Sequence, residues 1–236
     1  RIIEDAAHAL GTVYKGRAGS LYNGKKIGSF GDITCFSFDS IKIISCGEGG
    51  AVICNDEATA GELQRTMRKK RLLGVDRASH SAHWKERAWS FDVGTQGYRY
   101  HMGAINAVIG IEQLKKIDAF INRRREICNL YEAGLSEVAG LELLAIDYGC
   151  LSPFMFTVKV GEGRRDELKD YLTGREIETG ISYVPNHGHS LYKSSIELPV
   201  TDRLYSEILS LPLHCNLTDK EVGYVVDCVK EFFKAQ

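Results

Sequence analysis

The chain has 236 residues, of which 44% are hydrophobic and 26% are charged, and its formal net charge at pH 7 is −1. This composition is typical of a globular protein with enough apolar residues for a substantial core. The near-neutral charge excludes a general nucleic-acid binder, whose surface would be clearly basic.

Cysteine usage and hydropathy exclude two further classes. The seven cysteines show no CxxC pairing, which argues against a disulfide framework and against a zinc site. Cys35 and Cys54 fall in apolar runs, which predicts buried, reduced thiols in a cytoplasmic protein. No apolar run is long enough to span a membrane, and no secretory signal is visible.

The first half of the chain predicts short strands followed by a helix. Three strands are predicted, at 2–5, 33–38 and 51–54. Lys42 lies just past the second strand, and a Gly-Glu-Gly-Gly turn at 47–50 precedes the third. Residues 58–73 fit a helix, and we interpret its basic end at 65–71 as solvated surface in preference to a binding patch.

The second half begins with a long loop at 74–100, a length that is usually functional in a compact domain. Apolar residues at helical spacing predict a helix from 104 to about 135. Further elements are a strand at 154–160, a helix at 164–179 with a break near Gly174, a strand at 180–184, and a final helix to about 233 that opens with a Thr218/Glu221 capping box. We therefore predict a domain at 1–135 and a small α/β domain at 136–236.

Several ordered motifs carry a resemblance to a known family. They are Glu-Asp-Ala-Ala-His at 4–8, Ser-Phe-x-x-x-Lys at 37–42, Gly-Glu-Gly-Gly at 47–50, and shorter matches at 97–102, 105–107, 185–187 and 210–213. Together they resemble the DegT/DnrJ/EryC1/StrS family of sugar aminotransferases, which depend on pyridoxal 5'-phosphate. The resemblance implies an α/β fold similar to aspartate aminotransferase, with residues 1–135 as part of a large, mainly parallel cofactor-binding domain.

The same resemblance assigns the central chemistry to two residues. Lys42 matches the lysine that forms a Schiff base with the cofactor, a role that only a primary amine can fill. Asp5 matches the carboxylate beside the cofactor's pyridine nitrogen, where a negative charge favours the protonated ring that serves as electron sink. Without the other motifs, each would read as an ordinary surface or turn residue.

Further residues match the family at the edge of the site. Ser37 matches a phosphate ligand, and His8 a residue close to the cofactor ring that could equally be a structural histidine. Asp39 departs from the family, which often has His beside the lysine. His187 matches an element near the substrate, although a plain loop histidine is the alternative. No metal set is predicted from His80, His83 and His189.

The resemblance also implies a homodimer with shared active sites. The family's Asn-Tyr-Arg motif, which reaches the neighbour's cofactor phosphate, reads Arg99-Tyr100-His101 here. Arg99 or His101 could donate to a phosphate, and the sequence leaves open which does.

The implied reaction moves an amino group from an amino acid, with glutamate expected, to a keto group of a nucleotide-linked deoxysugar. A pyridoxal-phosphate-dependent sugar dehydratase is one alternative, but such relatives carry His in place of Lys42. A non-catalytic regulatory or interaction protein on the same fold is another.

The chain begins abruptly, with Arg1 immediately before a strand. In the family, a long segment that precedes this strand supplies further contacts to the cofactor. We therefore expect a fragment, or a chain whose upstream part is absent for another reason, and expect these residues alone to bind the cofactor poorly and to be inactive.

Overall fold

The computed structural model describes residues 1–55, 60–75, 92–193 and 196–234. Its contacts divide the chain into two compact units, Arg1–Ile117 and Asp118–Gln236. The predicted boundary lay later, after residue 135. The structure assigns the helix at Ile117–Leu135 largely to the second unit, because its buried side chains belong to that unit's core.

The first unit contains a three-stranded sheet in the order β1 (Ile3–Asp5), β2 (Ile33–Ser37) and β3 (Gly50–Cys54). These strands match the predicted positions. β1 and β2 are parallel, whereas β2 and β3 are antiparallel. One of the two strand pairings in the described part of this sheet is thus parallel, whereas a mainly parallel sheet was predicted. The connection at 38–49 is only about a dozen residues long, which is the lower limit for the crossover that parallel neighbours need.

Two helices complete the described part of this unit. Helix α1 (Ala60–Arg71) confirms the predicted helix, and helix α2 (Ala104–Leu114) begins where the apolar periodicity begins. Neither helix has a fully buried residue. Two apolar residues of α2 are largely exposed: Ile105 is 79% exposed and Val108 is 60% exposed.

The predicted long helix at 104–135 is in fact two helices, α2 and α3 (Ile117–Leu135). The Lys115 N–H still bonds to the Ile111 carbonyl, but the Lys116 N–H bonds to the Gln113 carbonyl, only three residues back. The helical ladder therefore stops at Lys116. No Gly or Pro marks this position, so no local sequence signal predicts the break.

The second unit is built on an antiparallel sheet in the order β4 (Leu141–Leu143), β5 (Phe156–Val160) and β6 (Ile208–Leu211). Alternate residues of β5, namely Phe156, Val158 and Val160, are buried. They pack into a core with residues from three helices: α3, α4 (Arg165–Thr173) and α6 (Asp219–Lys234). Helix α5 (Pro199–Glu207) precedes β6.

Local sequence signals set two helix ends in this unit. Helix α4 ends at Gly174, where a break was predicted. The capping box before α6 is also confirmed: Thr218 N–H donates to Glu221 Oε2 at 2.8 Å, and Glu221 N–H donates to Thr218 Oγ1 at 3.2 Å. The predicted strand at 180–184 is wrong, because only Gly180 pairs, through an isolated bridge to Ser210. Strands β4 and β6 and helix α5 were not predicted.

Candidate active site

The candidate site lies where the parallel strands β1 and β2 end. Asp5 is the last residue of β1 and pairs with Cys35, two residues before Ser37 ends β2. The Ala6 N–H donates to the Cys35 carbonyl at 2.8 Å, which carries the pairing one residue further. Because carboxyl ends of parallel strands share one edge, Asp5 and Ser37 lie at the same edge of the sheet.

The lysine and the histidine predicted for this site meet directly. Lys42 Nζ lies 2.8 Å from His8 Nε2, and both side chains are half-buried. An ammonium at Lys42 Nζ can only donate, and opposite it Nε2 of a neutral His8 carries the lone pair and Nδ1 the proton. The structure therefore joins the ends of two motifs that lie far apart in the sequence.

Charge and burial keep His8 neutral. Burial is the main cause that lowers the pKa of His8 below 6.5, and the nearby positive charge of Lys42 lowers it further. The carboxylate of Asp5 acts in the opposite direction and raises it. Both Asp5 and Lys42 are thus close enough to shift the pKa of His8. A lowered pKa favours the neutral imidazole, which is the form that can accept a hydrogen bond from the amine.

A short turn presents Lys42 after β2. The Lys42 N–H donates to the Asp39 carbonyl at 3.0 Å, and the Ile41 N–H donates to Asp39 Oδ1 at 3.1 Å. Asp side chains commonly close turns in this way. Asp39, at a position where the family often has His, therefore closes this turn through its carboxylate.

Buried residues anchor the loop at 43–49 that follows Lys42, which we call the lysine loop. Ile43 and Ile44 are 7% and 2% exposed, and Cys46 is fully buried. The Cys46 N–H donates to the Phe38 carbonyl at 3.0 Å, which closes the loop on the end of β2. Burial also raises the pKa of the Cys46 thiol, so this cysteine is a neutral packing residue.

The Gly-Glu-Gly-Gly turn packs against the start of α2. Asn106 Nδ2 donates to the Cys46 carbonyl at 2.6 Å. A Cβ on Gly49 would overlap Met102 Cε, and a Cβ on Gly50 would lie 2.6 Å from the Phe36 carbonyl oxygen. Both glycines are required for close approach. The lysine loop and the segment at 102–106 thus form one packed assembly.

Ser37 and Asp5 each take part in a local turn as well. The Asp39 N–H points to Ser37 Oγ at 3.4 Å, a contact in which the hydroxyl accepts and still has its own proton to donate. The Ala7 N–H donates to Asp5 Oδ1 at 3.1 Å. Asp5 itself is exposed.

Arg99 and His101 are both exposed, and both lie near α1. Arg99 forms an isolated bridge with Leu72, just past the end of α1. His101 lines a cleft with the basic residues of α1. Neither is placed beside Lys42 by a described contact, and their proposed role toward a second subunit stays a prediction.

His187 belongs to the second unit. It lies in a short 3-10 helix, Asn186–Gly188, and its Nε2 is 2.8 Å from Asp202 Oδ1 on α5. The predicted role of His187 toward substrate stays a prediction. Asp202 and the contact between Asn106 and the loop after Lys42 were not predicted, although Asn106 lies in the motif at 105–107 that resembles the family.

Within residues 1–55, 60–75, 92–193 and 196–234, no group of His, Cys, Asp and Glu side chains could hold a metal ion. In the same part of the chain, no helix combines the length and the apolar character that a membrane crossing needs. His80 and His83 lie outside the described residues.

Comparison with known proteins places this geometry in context. The chain is 31% identical to the spore coat polysaccharide biosynthesis protein SpsC of Bacillus subtilis (strain 168), covering 99% of this chain and 60% of SpsC. It resembles the crystal structure of the aminotransferase TlmJ from Streptoalloteichus hindustanus (33% identity, TM-score 0.77, 90% of this chain and 55% of TlmJ). It also resembles the sugar aminotransferase CalS13 from Micromonospora echinospora (28% identity, TM-score 0.79, 97% of this chain and 57% of CalS13).

The fold and the site define a mixed α/β protein with an amine, an imidazole and a carboxylate gathered where two parallel strands end. Residues 1–230 match the model of the DegT/DnrJ/EryC1/StrS aminotransferase family, and the chain belongs to this family. It spans between 55% and 60% of the length of the three relatives described above.

Proposed function

We propose that this chain is the lysine-bearing part of a pyridoxal-phosphate-dependent sugar aminotransferase. The reaction would move an amino group from an amino acid, with glutamate as the proposed donor, to a keto group of a nucleotide-linked deoxysugar. The contact between Lys42 Nζ and His8 Nε2 at 2.8 Å, beside Asp5, carries the proposal. We also propose that the first unit is part of the large cofactor-binding domain and that the second is the small domain.

The side chains present suit pyridoxal 5'-phosphate in kind and in number. Lys42 supplies the primary amine, Asp5 a carboxylate for a protonated ring nitrogen, and Ser37 a hydroxyl for a phosphate oxygen. When bound, this cofactor supplies an electron sink beside the reacting carbon. Lys42 and Asp5 together distinguish such a site from an ordinary cluster of surface charges.

His8 contributes control over the proton on Lys42. An amine attacks a carbonyl carbon only when its nitrogen has a lone pair, so Lys42 must lose one proton before it reacts. A neutral His8 Nε2 at hydrogen-bond distance can accept that proton. Burial and the charge of Lys42, which lower the pKa of His8, keep this acceptor available near neutral pH.

We further propose a homodimer in which Arg99 or His101 completes the partner's site. Their exposure supports this role, since a group that serves a second subunit must face outward. A Lys42→Ala protein mixed with an Arg99→Ala/His101→Ala protein would form hybrid dimers with one undamaged site. Activity should return after verified subunit exchange, and its absence would argue against shared sites.

The two alternative functions make different demands on the site. A dehydratase of this family would have His at position 42, and the lysine here disfavours it. A non-catalytic protein has no need for the alignment of Asp5, His8 and Lys42. The free thiols of all seven cysteines support the proposal of a cytoplasmic protein.

The experiment that tests the proposal combines trapping with an activity screen. Borohydride reduction in the presence of pyridoxal phosphate should attach the cofactor to Lys42, as located by peptide mass spectrometry, and Lys42→Ala should abolish the adduct. Lys220→Ala, an exposed lysine on α6, is the matched control. Amino transfer should then be measured on nucleotide-linked keto-sugars with the longest natural form of the protein. An adduct that maps to another lysine contradicts the assignment.

A further inference from the structure

A basic cleft in the first unit is not used by the proposed chemistry at Lys42. Backbone hydrogen bonds attach residues 98–100 to the end of α1: the Tyr98 N–H donates to the Lys70 carbonyl at 2.6 Å, and the Tyr100 N–H to the Arg71 carbonyl at 3.0 Å. The Leu73 N–H donates back to the Tyr98 carbonyl at 3.0 Å. This pairing places His101 beside the helix.

The resulting cleft has a volume of about 800 Å³ and strongly positive walls. Arg65, Arg68, Lys69 and Arg71 line it from α1, and His101 lines it from the facing segment. No Asp or Glu is among the described residues that form the walls. Its volume lies within the range of small-molecule sites.

The arginines of this cleft have no counter-charge within the described part of the chain. Arg65, Arg68 and Arg71 make no ion pair with any described carboxylate, whereas other basic side chains such as Arg123 and Lys159 are paired. Arg65 and Arg68 are three residues apart on one helix, a spacing at which like charges repel. The chain as a whole has a net charge of −1, so the local excess is not a property of its composition.

Cations at the end of a helix commonly offset the helix dipole, but that explanation covers only part of the cluster. The carbonyls of Lys69, Lys70 and Arg71 already accept backbone N–H groups at the end of α1. Arg65 lies outside the last turn, and His101 is not on the helix. The helix dipole therefore does not explain why Arg65 and His101 lie near Arg68. A bound anion would explain it.

We propose that this cleft binds the diphosphate group of a nucleotide. Guanidinium groups donate paired N–H groups in a fork that matches phosphate oxygens, and three of them suit an anion with more than one phosphoryl group. The proposal rests on the proposed function, because a nucleotide-linked sugar carries such a group. It assigns the nucleotide's diphosphate to the arginines of α1 and, with His101 in this cleft, leaves Arg99 as the group proposed to complete the partner's site.

Titration calorimetry on the 236-residue chain, without cofactor, tests the proposal directly. Inorganic pyrophosphate, ADP and UDP should bind at least about tenfold more tightly than inorganic phosphate at low ionic strength, since each added charge-assisted hydrogen bond contributes roughly 1.5–3 kcal/mol. Arg65→Ala/Arg68→Ala should weaken pyrophosphate binding by about 100-fold on the same basis. The variant Arg65→Lys/Arg68→Lys should be intermediate, because it keeps the charge and loses the fork.

The matched control removes two exposed positive charges elsewhere, in Lys116→Ala/Lys220→Ala, and should leave binding unchanged. An equal loss in this control would show a bulk charge effect and overturn the proposal, as would pyrophosphate binding that survives Arg65→Ala/Arg68→Ala, or no binding by the wild-type chain. Borohydride trapping at Lys42 should be the same in Arg65→Ala/Arg68→Ala as in wild type. That measurement separates a failure at this cleft from a failure of the proposed function.

Discussion

Lys42 Nζ and His8 Nε2 lie 2.8 Å apart, and this contact joins residues separated by 34 positions in the chain. His8 follows β1 and Lys42 follows β2, so the parallel pairing of the two strands is what brings them together. With Lys42 as an ammonium, the amine donates and a neutral imidazole accepts. The chemistry proposed for Lys42 therefore depends on His8 remaining neutral.

The first prediction concerns pH and His8. Below its lowered pKa, His8 becomes protonated and can no longer accept from Lys42, so the yield of trapped cofactor should fall on the acid side. His8→Gln keeps an acceptor oxygen at every pH, and its trapping yield should fall less steeply than that of wild type. The measurement is trapping yield against pH in both proteins. Parallel profiles would remove His8 from this role.

The same pKa shift predicts the direction of a stability change. In the unfolded chain His8 takes up a proton near its ordinary pKa of 6.5, whereas the folded chain takes it up only at lower pH. The free energy of unfolding should therefore decrease as the pH falls from 6.5 toward the folded-state pKa. His8→Gln should lack this contribution, and denaturant titrations of both proteins at several pH values would check it.

Asp5→Asn separates the charge of Asp5 from its role in the turn. The asparagine oxygen can still accept the Ala7 N–H, so the end of β1 should be preserved. Loss of the carboxylate should slow amino transfer by the full-length enzyme by about 100-fold, the usual effect of removing one preorganised electrostatic partner. Cofactor trapping at Lys42 should persist. Turnover within a few-fold of wild type would exclude Asp5 from the ring-nitrogen role.

Asp5→Asn should also change His8. The carboxylate of Asp5 raises the pKa of His8, so its removal should lower that pKa further. The acid limb of the trapping profile should then move to lower pH relative to wild type. An acid limb that stays in place would show that Asp5 does not act on His8.

Asn106→Ala tests whether the start of α2 holds the lysine loop. The variant loses the 2.6 Å hydrogen bond to the Cys46 carbonyl. One such bond contributes about 1 kcal/mol, so amide hydrogen exchange at residues 43–49 should be roughly fivefold faster, and trapping at Lys42 slower. Asn129→Ala, on an exposed position of α3, is the control and should change neither. Unchanged exchange in Asn106→Ala would show that burial alone holds the loop.

Thr218→Ala addresses the stability of the second unit. It removes the side chain that caps α6, whose Oγ1 accepts the Glu221 N–H. The free energy of unfolding should fall by about 1 kcal/mol, as for other N-cap threonines. Thr201→Ala, within α5, is the control and should have little effect. Equal unfolding midpoints for wild type and Thr218→Ala in denaturant would contradict the capping role.

Local sequence signals were sufficient where a residue acts through its neighbours. The capping box at Thr218 and the glycine at 174 set helix ends through contacts within a few residues. The capping box and the break at Gly174 were predicted correctly, whereas the predicted helical part at 175–179 was wrong. The period of two at 154–160 likewise predicted strand β5. The break at Lys116 and the edge strand β4 were missed, because their conformation depends on packing against distant parts of the chain.

The sequence by itself determined the family and predicted the roles of Lys42 and Asp5, because an ordered set of motifs indicates a chemistry whatever the fold around it. Only the tertiary structure decided which groups touch. It joined His8 to Lys42 through strand pairing, made Asn106 a contact of the lysine loop, and placed His101 against the arginines of α1. Hydrogen bonds and charges act over a few ångströms in space, and the order of residues along the chain does not contain those distances.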